Sequence, residues 1–316
     1  MPRRRSTQIS ILRSIINDFK FTKEDVPPFE AKLFFEGQQR RLYLERYIVL
    51  LFLAVVIATY GVIGDSVATV IGAMIIAPLM RPIMATAAGL VMGSMRRAGI
   101  SFLIVLASVV GVIALAWMLT EVNFATIVSF DTNSQITGRI SPRLIDLFVA
   151  LAAGAAGAVA MSRDDVADSL PGVAVAISLV PPLCVVGIGL AEGELTAASG
   201  AMLSFLTNFL SILLAGGAVL ALLGLSTAST EGLRSAARRR AFILIVIGVL
   251  LVVVPLATTT KQVYEHALIS RDTALLAQEW MAETDYDISR VAVSGDQVEL
   301  VIFGSGDRPD LNLLGE

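Results

Sequence analysis

The chain has 316 residues, of which 55% are hydrophobic and 16% charged, with a net charge of −3, one cysteine and one histidine. Soluble domains carry about 25% charged residues, and here the apolar residues fall in runs near the roughly 20 that a helical span needs, so an all-α polytopic membrane protein is expected. A lone Cys184 and a lone His266 exclude a disulfide framework and argue against a cysteine/histidine zinc site; no cofactor or metal is expected.

The chain opens MPRRRST, but no apolar run follows until Tyr47, so the first span is expected to be an uncleaved anchor. Residues 8–20 place Ile9, Leu12, Ile16 and Phe19 on one helical face and Arg13, Asn17 and Lys20 opposite. That pattern fits a helix on the inner leaflet or one packed on the protein itself. Pro27-Pro28 should break the chain before a charged helix over about 29–46, which completes a cytoplasmic segment 1–46.

A transmembrane domain over 47–259 follows, with about seven spans near 47–64, 66–95, 99–120, 144–161, 172–191, 197–224 and 241–259. Arg40, Arg41 and Arg46, then Arg96 and Arg97, then Arg234, Arg238, Arg239 and Arg240 flank ends that should be cytoplasmic. The amino terminus is then inside and the carboxyl terminus outside. Residues 260–316 turn soluble: an amphipathic helix over 260–283, strands Ile288–Val293 and Val298–Phe303 about a Ser294-Gly295-Asp296 turn, and a tail without pattern. Such an αββ piece is too small to fold well alone and should pack on the membrane part or on neighbouring subunits, as in a homo-oligomer.

Shifting the chain by 103 residues superposes Asp65-Ser66 on Asp168-Ser169, Pro78 on Pro181, and Ser101-Phe102-Leu103 on Ser204-Phe205-Leu206. The expected architecture is therefore a three-plus-three repeat, 47–120 and 144–224, inverted in the bilayer because each half holds an odd number of spans. Spans two and five would be broken helices, at Pro78 and Pro82 and at Pro181-Pro182. As one straight helix, span two would run about 45 Å against a hydrocarbon core of about 30 Å. A re-entrant hairpin is the rival arrangement, and it would put Arg96 and Arg97 outside, against the positive-inside rule.

Arg81 falls near the middle of span two, where a charge marks a functional site by default. It reads either as a ligand or pathway residue or as a pin on carbonyls freed by the prolines. Ser204, Thr207, Asn208 and Ser211 form a polar stripe on span six that either bonds between helices or lines a polar path. Asp65 and Asp168, each just before a broken helix, read as helix caps or as coupling groups for a proton or cation. The candidate substrate-binding set is Arg81, Pro78, Pro82, Pro181, Pro182, Ser204, Thr207 and Asn208. No nucleophile–base pair can be assembled, so an enzyme is not expected, and neither is a nucleic-acid partner.

The stretches GAMIIAPLMRPI (72–83), SLVPPLCVVGIGLAEG (178–193) and FLTNFLSI (205–212) together resemble the membrane family called domain of unknown function 389. The resemblance covers about 45–225 and implies a hydrophobic membrane protein of bacteria or archaea, located in the plasma membrane, whose activity is unassigned. Pro78, Leu79, Met80 and Pro82 match its first motif, Pro181 and Pro182 the second, and Thr207-Asn208 the third. Arg81 departs from the glycine expected there. The functional expectation is a carrier or channel for an anion or small polar solute, with Arg81, Ser204 and Asn208 at a midplane site. The alternative is a non-transporting scaffold or sensor acting through its soluble ends.

Overall fold

The computed structural model describes residues 20–34, 36, 40–123, 128–162 and 178–228, isolated positions between 239 and 276, and 286–294 with 297–304. The chain divides into two compact units, Met1–Pro255 and Leu256–Glu316. In the first unit the helices are α1 (Val26–Leu33), α2 (Arg40–Ile63), α3 (Val67–Ile76), α4 (Met80–Met92) and α5 (Met95–Glu121). They are followed by α6 (Ser134–Ile140), α7 (Leu144–Ser162), α8 (Val180–Ala191), α9 (Leu195–Leu222) and α10 (Leu225–Ala228). In the second unit β1 (Tyr286–Ser294) and β2 (Gln297–Gly304) pair antiparallel, with Ser294 opposite Gln297 and an irregularity between Ile288 and Arg290.

α2, α5, α7 and α9 are each long and apolar enough to cross a membrane. α3 and α4 together form a further, bent candidate, with 46° between them, and α8 is a shorter apolar helix. Large side chains such as Ile48, Leu103, Phe148 and Leu222 stand exposed on the long helices. That placement suits a lipid rather than an aqueous surround, because lipid carries no penalty for apolar exposure. The expected span 241–259, the start of the expected span 172–191, the helices over 8–20 and 260–283, and the tail lie outside the continuously described residues.

The prolines start helices here. Pro27 falls in the first turn of α1, so Pro27-Pro28 opens a helix where a break was expected. Proline fits there because first-turn N–H groups have no helical partner. The charged helix expected over 29–46 is two elements: α1 stops at Leu33, where Phe34 turns extended (ψ 145°), and α2 begins at Arg40. Likewise α3 stops at Ile76, the chain passes Ala77 in extended conformation, and Pro82 lies in the first turn of α4. Pro181 and Pro182 sit in the first turn of α8.

Helix starts and ends recur at a spacing of about 100 residues, where the sequence matches suggested 103. Gly93 (φ 85°) and Gly193 (φ 79°) take the same left-handed conformation. The Ser94 N–H donates to the Gly89 carbonyl at 2.8 Å, and the Glu194 N–H to the Gly189 carbonyl at 2.8 Å. These bonds close a helix end of the Schellman type, which calls for glycine at the left-handed position. A Cβ on Gly89 would lie 2.7 Å from the Ala98 nitrogen, and one on Gly189 would lie 3.1 Å from the Ala198 nitrogen. Buried positions recur at the same spacing: Ala54 and Gly154, Ala98 and Ala198, Val112 and Ile212, Ala116 and Gly216. Arg81 therefore stands opposite Pro181, and Cys184 opposite Met84. At this spacing Ser101-Phe102-Leu103 falls on 201–203 and not on 204–206.

The halves interlock. α4 packs on both α5 and α9, and α8 on both α9 and α5. Glycines allow these crossings: a Cβ on Gly187 would meet the Ile113 carbonyl at 2.6 Å, and one on Gly154 the Ile212 Cα at 2.8 Å.

Candidate functional site

α6 is a short helix that the sequence reading missed, and tertiary contacts hold it. Asn133 caps it, accepting from the N–H groups of Gln135 (2.9 Å) and Ile136 (3.1 Å), while its Nδ2 donates to the Val62 carbonyl at the end of α2 (2.7 Å). Asp65 adds a second clamp, with Oδ1 accepting from Ser134 Oγ (2.6 Å) and the Gln135 N–H (3.1 Å). Asp65 therefore caps α6. It does not cap its own following helix: Ser66 takes that place on α3, accepting from the Thr69 N–H at 3.4 Å.

The Ser134 hydroxyl bond is the chief reason the Asp65 carboxyl lies below its ordinary pKa. Because folding favours the carboxylate, this stabilisation is present above the ordinary aspartate range and is lost as pH falls through the lowered folded-state value. Thermal unfolding in detergent should show the unaltered protein losing stability below about pH 4. Asp65→Asn should start less stable at neutral pH and lose less on acidification; parallel pH curves for the two would refute the clamp.

At the far end of α6, Arg139 Nη1 donates to the carbonyl and to Oε1 (3.2 Å) of Gln135. Its Nε is buried with no hydrogen-bond partner among the described residues. Burial lowers the Arg139 pKa, with the nearby Cys184 opposing, yet a guanidinium stays charged at any working pH. A Cβ on Gly200 would run into Ile140, so α6 lies directly against the start of α9.

Arg139 opens onto a cavity of about 230 Å³ lined by Gly138, Arg139, Asp146, Val149, Ser178, Ser204 and Asn208. It lies among α6, α7, α9 and the residue that leads into α8. Asn208, about 20 Å along α9 from Leu195 at 1.5 Å per residue, is one of its walls. There Asn208 Nδ2 donates to the Ser178 carbonyl at 3.0 Å. Ser178 is left-handed (φ 36°), an unfavourable conformation for a serine that this bond helps to hold. On α7, Asp146 Oδ2 accepts from the Arg143 N–H at 2.7 Å. Among the described residues neither Arg139 nor Asp146 is in an ion pair with a side chain.

The expected midplane site of Arg81, Ser204 and Asn208 is not one site. Ser204 and Asn208 line the cavity, whereas Arg81 Nε donates to the Leu33 carbonyl (3.4 Å) and its guanidinium stacks on Tyr43 at 5.1 Å. Leu33 precedes the first span and Tyr43 lies in the first turn of α2, while α6 is clamped to the other end of α2. Arg81 thus lies near the chain's entry to the membrane, where the amino-terminal segment folds back to meet it. The same segment gathers Arg97 onto Glu30 (3.1 Å), Glu36 (3.2 Å) and the Phe34 ring (5.0 Å), and the Phe21 N–H donates to the Leu223 carbonyl (2.8 Å).

Pro82, Pro181 and Pro182 are buried in first turns, and Pro78 precedes α4. Thr207 is buried, with its hydroxyl donating to the Leu203 carbonyl (2.8 Å), and does not line the cavity. Asp168 lies outside the described residues. Cys184 is buried in the apolar core. No group of three or more His, Cys, Asp or Glu side chains able to hold a metal occurs among the described residues. Arg139 escaped the sequence reading, although Asn133, a strong N-cap residue ahead of it, was the available signal.

Long apolar helices, a bent helix pair and interlocked halves around a polar cavity define a multi-pass helical membrane protein. Residues 74–214 match the model of the family described as Domain of unknown function (DUF389). The Uncharacterized protein MJ0678 of Methanocaldococcus jannaschii is 30% identical over 178 residues, 56% of this chain and 54% of that protein. The chain thus spans about half the length of this curated relative. No solved structure matches.

Proposed function

We propose that the protein carries a small polar solute across the plasma membrane by exposing a central site to each side in turn. The observation that carries this reading is the polar cavity running from Arg139 and Asp146 to Asn208. Two supports join it. The halves repeat with an odd number of spans if α3 and α4 cross as one broken helix, which inverts the second half; a bend of only 46° favours crossing over return. The arginines at 40, 41, 46, 96 and 97 orient the amino-terminal end inward, so the cavity opens outside.

The opposite, inner end is shut. Asn208 has Ser108 as its counterpart 100 residues earlier, and there Ser108 Oγ and Tyr47 Oη share a buried hydrogen bond of 2.7 Å. Tyr47 is buried there, and α1 packs against α4, as a closed inner end would require. One state of an alternating carrier has this form, open outside and closed inside.

The test is flux of a broad solute panel into liposomes carrying the purified protein, against empty liposomes. Absence of flux for every solute would sink transport and favour the scaffold or sensor reading. Tyr47→Phe should tip the equilibrium toward the inner-open state. The lost hydrogen bond, at about 1 kcal/mol, corresponds to a roughly fivefold population shift. Outer-face labelling of a cysteine at position 204 should slow accordingly; an unchanged rate would remove Tyr47 from the gate.

A further inference from the structure

We infer that the cavity selects a small zwitterion, a solute bearing one carboxylate and one ammonium group; this rests on the carrier reading above. The cavity holds one cationic and one anionic side chain, Arg139 and Asp146, and neither neutralises the other through an ion pair. Arg139 binds Gln135 through Nη1, its Nε is sealed within the protein, and its Nη2 makes no hydrogen bond among the described residues. Asp146 uses one oxygen on the Arg143 N–H, and among the described residues its other oxygen has no partner.

Both groups are half-buried, so each attracts an opposite charge brought against it, and an occupant that reaches both is matched best when it answers both. A simple carboxylate would satisfy Arg139 but bring like charge to Asp146. A simple amine would satisfy Asp146 and leave Arg139 repelled. A zwitterion pairs with both, and the mismatch of the two rivals supplies specificity by repulsion. The cavity of about 230 Å³ is small, and among its described lining residues Val149 is the one with a large apolar side chain. Ser178, Ser204 and Asn208 make the remainder polar. A short side chain, as in glycine or alanine, suits this lining better than a large apolar one.

The experiment uses the full-length protein with L-alanine, propionate and ethylamine, which isolate the two charges. Thermal stabilisation in detergent reports binding, and liposome flux reports transport. L-alanine should stabilise at concentrations where propionate and ethylamine do not. Asp146→Asn keeps an acceptor for the Arg143 N–H and should shrink the preference for alanine over propionate at least tenfold. Arg139→Gln should shrink the preference for alanine over ethylamine by a similar factor. Equal stabilisation by propionate and alanine in the unaltered protein would overturn the inference, as would no stabilisation by alanine. Stabilisation by alanine without flux of any solute would sustain the zwitterion site and refute the carrier. Flux of propionate without flux or binding of alanine would do the reverse.

Discussion

Replacing Arg139 by glutamine is expected to lower solute flux at least tenfold while leaving the helix bundle folded. Hydrogen bonds to a charged group contribute about 1.5–3 kcal/mol, which corresponds to roughly one to two orders of magnitude in binding. The fold should survive because α6 is held by Asn133 and Asp65, and Arg139 bonds only to Gln135 within its own helix. Arg139→Lys keeps the charge but loses the planar fork and should recover part of the flux. Arg81→Gln supplies the contrast. It removes the contact to the Leu33 carbonyl and the Tyr43 ring, so it should lower thermal stability and leave flux nearly unchanged. Flux lost through Arg81→Gln and kept through Arg139→Gln would move the solute path to the other end of α2.

The second large effect is on assembly of the halves. At Gly187 an added methyl would meet the Ile113 carbonyl (2.6 Å), Ala116 Cβ (2.7 Å) and the Trp117 nitrogen (2.8 Å). Two of these are backbone atoms and the third is the first atom of a side chain, so no rotamer change relieves the clash; α8 must move away from α5. Overpacking of this kind costs about 1–3 kcal/mol. Gly187→Ala should therefore lower the unfolding temperature clearly, and Gly154→Ala should act similarly where α7 meets α9. Gly111 on α5 has open space around its Cβ position, so Gly111→Ala should be neutral or mildly stabilising. Equal unfolding temperatures for the alanine variants at 187 and 111 would contradict the close crossing.

The long helices were legible because lipid-facing and core-facing residues are both apolar, which leaves runs that mark α2, α5, α7 and α9 directly. Proline marked the interruptions, although its role proved to be starting helices. The hairpin strands were legible from alternation on either side of Ser294. The repeat was legible in kind but not in register, since residues such as Ser101 and Phe102 also find matches 103 residues on in apolar sequence. Gly89, Gly93, Gly189 and Gly193 held the true register, and the close backbone approaches that require them appear only in three dimensions. Of the three residues expected at one site, Ser204 and Asn208 line the same cavity. Arg81 did not join them because the amino-terminal segment folds back onto it, a contact no local pattern encodes. Arg139 stayed hidden in a polar stretch whose short helix owes its shape to Val62 and Asp65 far away in sequence.

A carrier of this kind has a cavity open to one side of the membrane and closed to the other. Cys184 is the single cysteine, so Cys184→Ala gives a cysteine-free background in which Ser204→Cys and Ser108→Cys can be placed separately. Labelling with a membrane-impermeant maleimide, applied to sealed vesicles of each orientation, reads the two positions directly. The cysteine at 204 should react from the outer face only, and the one at 108, buried beside Tyr47, from neither in the closed state. A cysteine at 204 that reacts only from the cytoplasmic face, or from neither, would contradict the carrier reading.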